Sequence, residues 1–208
     1  PPPRTTVGVP DLLVRGALVE IDLIAITAKG KREIINVPDI PKPLGHYAPA
    51  IRANNLVFAA GALATDFKTG VAPEARINPA FPYYGSAIKK ETRYILQNLV
   101  KTFQAAGTSL ERTVKAQVFL TDIRDYSGFE EVWREFLPVS PPITIAQTTG
   151  LLIKDNLIEI DLIAAHRIGL NDLCCFAQSV QQIRPGLRQL HIVAARLAGD
   201  RRLGNGGR

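Results

Sequence analysis

Apolar positions along this chain recur in two rhythms, one of period two and one of period 3.6, and each change of rhythm marks an element boundary. Residues 4–9 alternate as a strand does, and residues 17–26 are apolar and β-branched almost throughout, the pattern of a strand central in its sheet. Residues 33–37 predict a further strand, followed by the Pro-rich connection PDIPKPLG. Two more strands are expected over 46–52 and 55–63, separated by the turn pair Asn54-Asn55. A long loop with three prolines covers 66–85.

The period then changes. Residues 86–106 predict a helix with Ile88, Ile95, Leu99 and Phe103 on one face and Gly107 closing it. A strand over 114–121 follows. A second helix is expected over 127–137, with a Ser127–Glu130 capping box and an apolar stripe of Phe129, Val132, Trp133 and Phe136. A last strand pair begins at Pro141. The order β-β-β-α-β-α-β-β implies an α+β (two-layer α/β) domain, a mixed sheet with both helices on one face. The other face then needs a cover, so an oligomer interface is expected there.

That closing strand pair repeats the start of the chain. Residues 2–25 align without gaps on 141–164, twelve of twenty-four positions are identical, and both copies end in EIDLIA. Unrelated segments match at roughly one position in fifteen, so the similarity is an internal repeat. A lone strand pair cannot bury itself. Residues 1–29 are therefore read as the closing strands and linker of a second copy, docked on an upstream half-domain or a neighbouring subunit. Residues 30–166 are read as the complete domain, and 167–208 as a basic tail unrelated to either, with a composition that allows disorder.

Charge changes the picture little. The net charge is +6, but seven arginines against two aspartates in 167–208 supply five of those charges and leave the first 166 residues near neutral. An RNA- or DNA-reading surface needs clustered cations on the domain itself, so nucleic acid is expected only through the tail. No apolar run reaches the roughly 20 residues of a membrane helix, and PPPRTTVGV lacks a signal-peptide pattern. Adjacent Cys174 and Cys175 form no disulfide framework, and His46, His166 and His191 have no metal-ligand spacing. A cytoplasmic protein without metal or cofactor is the expectation.

The runs NLVFAAGALATD, YILQNLVKTFQAAGTSLERTVKAQVFLTD, GFEEVWREF and IEIDLIA carry a family pattern. From Glu33 to about His166 the chain resembles the Rid/YjgF family of enamine and imine deaminases, and PPRTTVG resembles the segment that precedes the last strand of such a domain. The resemblance implies a chorismate-mutase-like fold, a homotrimer with active clefts between subunits, and hydrolysis of small enamines or imines. Substrates of the 2-aminoacrylate or 2-iminobutanoate kind would yield ammonia and a 2-keto acid.

Residue by residue, the resemblance assigns the carboxylate-binding arginine to Arg4 and, in the complete copy, to Ile143. The water-orienting glutamate falls on Glu20 and on Glu159. The aromatic cleft residue falls on Tyr47, a serine-glycine pair on Ala60-Gly61, and a helix asparagine on Glu130. An arginine suits a carboxylate because its planar fork makes two charge-assisted hydrogen bonds. Ile143 offers none, a loss of about 1.5–3 kcal/mol; Ala60 lacks a hydroxyl, and Glu130 brings a negative charge. The expected cleft therefore combines Arg4 and Glu20 with Tyr47 contributed across the interface. Asp22 and Asp161, two residues beyond the glutamates on the same face, read as a solvated edge or salt-bridge ladder. His46 and Tyr83-Tyr84 read as structural, and Trp133 as core. Two other functions stay open: a degenerate ligand-binding or assembly subunit, and RNA binding or cleavage.

Overall fold

The computed structural model describes residues 1–27, 29–83 and 85–166. Its strands are β1 (Val7–Gly8), β2 (Arg32–Ile35), β3 (Ala50–Ala53), β4 (Leu56–Ala59), β5 (Ala62–Leu63), β6 (Thr113–Leu120), β7 (Ile143–Gln147), β8 (Gly150–Leu151) and β9 (Ile158–Ala165). Helices α1 (Ala87–Ala105) and α2 (Tyr126–Phe136) lie on either side of β6 in the chain. The main sheet runs β2-β3-β4-β9-β6-β7, with β5 also pairing β9. Only β6 and β7 are parallel; the other pairs are antiparallel.

The central place of β9 follows from its composition. Ile158, Ile160, Leu162 and Ala164 are fully buried and point to the helical layer. There they meet Ile95, Leu96, Leu99 and Phe103 of α1 and Phe129, Val132 and Trp133 of α2, the stripes expected from periodicity. Helix α1 ends in a Schellman turn: Gly107, at φ 73°, donates its N–H to the Gln104 carbonyl, and Thr108 donates to Phe103.

Two local expectations are corrected. The Ser127–Glu130 capping box is not formed, because α2 starts one residue earlier with Asp125 at its N-cap and Glu130 pairs with Arg134 at 2.9 Å. The strand expected over 17–26 is absent as well. That segment has no regular structure, and Leu18 and Leu23 are exposed. Its sequence is that of β9, and the place between β4 and β6 that such a strand needs is already occupied by β9 itself. Of the leading strand pair only Val7–Gly8 is extended and paired, antiparallel to β8, with Val7 opposite Leu151 and Gly8 opposite Gly150. Ile26 returns to the sheet face away from the helices and packs with Ile51 and Phe58. The expectations for the basic tail, its cysteines and Tyr84 lie outside the described residues.

Candidate functional site

Because the isoleucines and leucine of β9 face the helices, the alternate residues Glu159 and Asp161 face the other way. That side of the sheet is where residues 1–8 lie. The Gly61 N–H donates to the Arg4 carbonyl at 3.1 Å, and the Ala48 N–H donates to the Pro2 carbonyl at 3.2 Å. The Thr149 N–H and the Thr148 hydroxyl both donate to the Gly8 carbonyl. Backbone pairing therefore holds both ends of this leader.

Between those ends three side chains converge. The Arg4 guanidinium sits 5.2 Å from the centroid of the Tyr47 ring, a cation–π arrangement. Gly45 makes room for it: a Cβ there would come within 2.8 Å of the guanidinium. The Thr6 N–H donates to Glu159 Oε1 at 3.5 Å, and the Thr5 hydroxyl donates to Asp161 Oδ2 at 2.8 Å. Glu159 is 2% exposed, and its Oε2 has no hydrogen-bond partner among the described residues.

Burial dominates the electrostatics. It pushes the Glu159 carboxyl up to about 7, against the lowering effect of the Thr6 N–H and with a further push from Asp161. Burial also raises Asp161, which the Thr5 hydrogen bond and Lys115 oppose. The Tyr47 phenol is raised by burial, opposed by Arg4 and aided by Glu159. The result is a cation held on the Tyr47 ring and, on the same side of the sheet, a buried carboxyl that holds its proton up to neutral pH. Such a pair can grip a small carboxylate and deliver a proton to an atom next to it.

The predicted residues divide cleanly. Arg4, Tyr47, Gly61 and Glu159 are brought together, and Ala60 is buried beside Gly61, its N–H bonded to the Pro49 carbonyl at 2.8 Å. Glu20 is not brought there: it is exposed on the segment without regular structure. Ile143 packs against the helical core, because its partner in the sheet is Ala116, which faces the helices. Glu130 lies on α2 in its ion pair with Arg134. His46 and Tyr83 are exposed. Asp161, expected at a solvated edge or in a salt-bridge ladder, is half-buried and bonded to Thr5. Its recurrence as Asp22 was the signal in the sequence. Among the described residues no group of three or more His, Cys, Asp or Glu could hold a metal, and no helix is long and apolar enough to cross a membrane.

Comparison with known proteins gives a family model described as Endoribonuclease L-PSP, which matches residues 38–166. A RutC family protein of Pyrococcus horikoshii is 37% identical over 133 residues, 64% of this chain and 97% of the relative. The 3-aminoacrylate deaminase RutC of Acinetobacter baylyi is 32% identical over 133 residues, with the same shares of the two chains. Among solved structures, an endoribonuclease L-PSP homologue from Entamoeba histolytica superposes with a TM-score of 0.54 at 26% identity, covering 65% of this chain and 99% of its own. The mixed sheet with two helices is the fold of these neighbours.

Proposed function

This chain belongs to the Endoribonuclease L-PSP family, and from that premise we propose that it is a hydrolytic deaminase of small enamines and imines that carry a carboxylate. The observation that carries the reading is the meeting of Arg4, Tyr47 and a buried Glu159 on one side of the sheet. The name of the Acinetobacter relative, a 3-aminoacrylate deaminase, supports the same class of substrate.

With 2-aminoacrylate as the model substrate, Arg4 binds the carboxylate and the Tyr47 ring walls the cleft. Protonated Glu159 gives its proton to the terminal carbon, and the enamine becomes a protonated imine (an iminium) of the same skeleton. The resulting carboxylate accepts a proton from a water molecule as that water adds to the iminium carbon. Collapse of the carbinolamine breaks the C–N bond, moves the hydroxyl proton to the departing nitrogen, and leaves pyruvate and ammonia. One water is consumed and Glu159 ends protonated as it began.

A homotrimer is the assembly we propose with it, supported by the exposed apolar residues Leu13, Leu18 and Leu23 of the segment that follows the leader. Binding of a carboxylate ligand without turnover is the second reading, favoured by Ala60, which offers no hydroxyl beside Gly61. The test is ammonia release from freshly generated 2-aminoacrylate by the wild-type chain and by Arg4→Ala. Loss of activity in the variant is expected; equal rates, or no release by the wild type, would refute the deaminase site.

A further inference from the structure

We propose that Thr5 and Asp161 form a positioning latch, which holds the leader in register on its own chain so that Arg4 meets Tyr47 and Glu159 of that same chain. The inference rests on the site described above and concerns how its arginine arrives there.

The leader is tied at Pro2, Arg4 and Gly8 through backbone groups, which are blind to side-chain identity. An extended segment held only by its backbone can slip, and a slip of one residue turns every side chain to the opposite face. Here such a slip would carry Arg4 or Thr6 to Asp161 and move the guanidinium off the Tyr47 ring. The Thr5 hydroxyl to Asp161 Oδ2 bond, 2.8 Å long and half-buried, distinguishes the correct register from its neighbours. Gly61 leaves room for this approach, because the Thr5 hydroxyl lies 3.0 Å from where a Gly61 Cβ would stand. Ile143, at the matching place in the complete copy, faces the helical core, so the chain has no second arginine to present at that position. The latch therefore completes the site in cis.

A latch of this kind has a distinct kinetic signature. If only the docked chain binds substrate, weakening the latch lowers the competent fraction and raises apparent KM, while the saturated complex remains docked and turns over normally. Losing a hydrogen bond to a charged group corresponds to about tenfold or more in that equilibrium.

The test uses the full chain with Cys174 and Cys175 replaced by serine and the pair Val7→Cys, Leu151→Cys introduced. These two residues are Cα partners across β1 and β8. Opposed residues of an antiparallel pair stand about 4.5–5.5 Å apart, within the roughly 4.4–6.8 Å a disulfide spans. Oxidation at low protein concentration should close a bond within one chain, seen as a fast-migrating monomer without reductant. Thr5→Val should cut its yield several-fold; Thr5→Ser or Asp161→Asn alone, which keep a hydroxyl donor and an oxygen acceptor, should leave it near the wild-type level. In the deaminase assay, without the cysteine pair, Thr5→Val should raise KM about tenfold with kcat within about twofold. Cross-links formed only between chains, a yield indifferent to Thr5→Val, or a loss confined to kcat would each overturn the latch. An intrachain bond sensitive to Thr5→Val in a protein that releases no ammonia would uphold the latch and remove the deaminase reading instead.

Discussion

Gly61 and Glu159 are packed so closely that a Cβ on the glycine would overlap the glutamate Oε1. The contact crosses from the turn after β4 to the centre of the sheet, and it fixes where the carboxyl can sit. Gly61 also donates its N–H to the Arg4 carbonyl, so one residue sets both the acid and the backbone that carries the arginine.

Replacing Gly61 with alanine should therefore displace the carboxyl and loosen the leader together. Misplacement of a reacting group by about 1 Å costs on the order of a hundredfold in rate, and kcat of Gly61→Ala should fall by about that factor. Overpacking of this kind also costs about 1–3 kcal/mol of stability. Steady-state kinetics beside a urea titration would check both; full activity would mean that Glu159 takes no part in the chemistry.

The position that the repeat aligns with Arg4 should not substitute for it. Ile143 faces the helical layer, so Ile143→Arg buries a cation there, at a cost of about 2 kcal/mol or more. Combined with Arg4→Ala it should restore no deaminase activity, and thermal unfolding should come several degrees lower. Recovered turnover in the double variant would show that β7 reaches the cleft.

Activity should follow the proton on Glu159. Its carboxyl is held up to about 7 by burial, and the proposed reaction starts from the protonated form. The plateau of kcat/KM should lie below that value, with a tenfold fall per pH unit well above it. Glu159→Gln should abolish turnover while still binding a carboxylate analogue, measured by calorimetry. A rate that rises through pH 7 to 9 would contradict the proton-donor role.

Stability should fall over the same range for a second reason. Glu91 of α1 is 3% exposed, accepts the Leu157 N–H at 2.8 Å, and is also pushed up to about 7, mainly by burial. A raised carboxyl means that the folded chain binds more protons than the unfolded chain between the ordinary glutamate value and 7. Stability is thus highest at low pH within that window and is lost as pH rises through it. Glu91→Gln keeps an acceptor for Leu157 and removes the titration. Its Tm should exceed that of the wild type at pH 8, by about 1–3 kcal/mol in stability terms, and the difference should vanish near pH 5. An equal gap at both pH values would exclude Glu91 as the source.

Local pattern was enough for both helices, most of the strands and the apolar stripe that joins them. The faces of α1 and α2 depend on residues three or four apart, and β9 announces itself by the apolar residues at its alternate positions, Ile158, Ile160, Leu162 and Ala164. Arg4, Tyr47, Gly61 and Glu159 were likewise nameable from motif and repeat. Glu20 and Glu159, in contrast, sit in the same hexapeptide and look alike in the sequence. Their fates differ because the sheet has one place between β4 and β6, and the copy in residues 158–165 fills it.

What this chain's sequence determined by itself was therefore the set of elements and the residue types of the proposed site. Tertiary structure alone decided which copy of each pair lies there: Arg4 rather than Ile143, Glu159 rather than Glu20. The reason is that burial and long-range pairing act on neighbours far apart in the chain. Thr5 meets Asp161 across more than 150 residues, and no local rhythm records that contact.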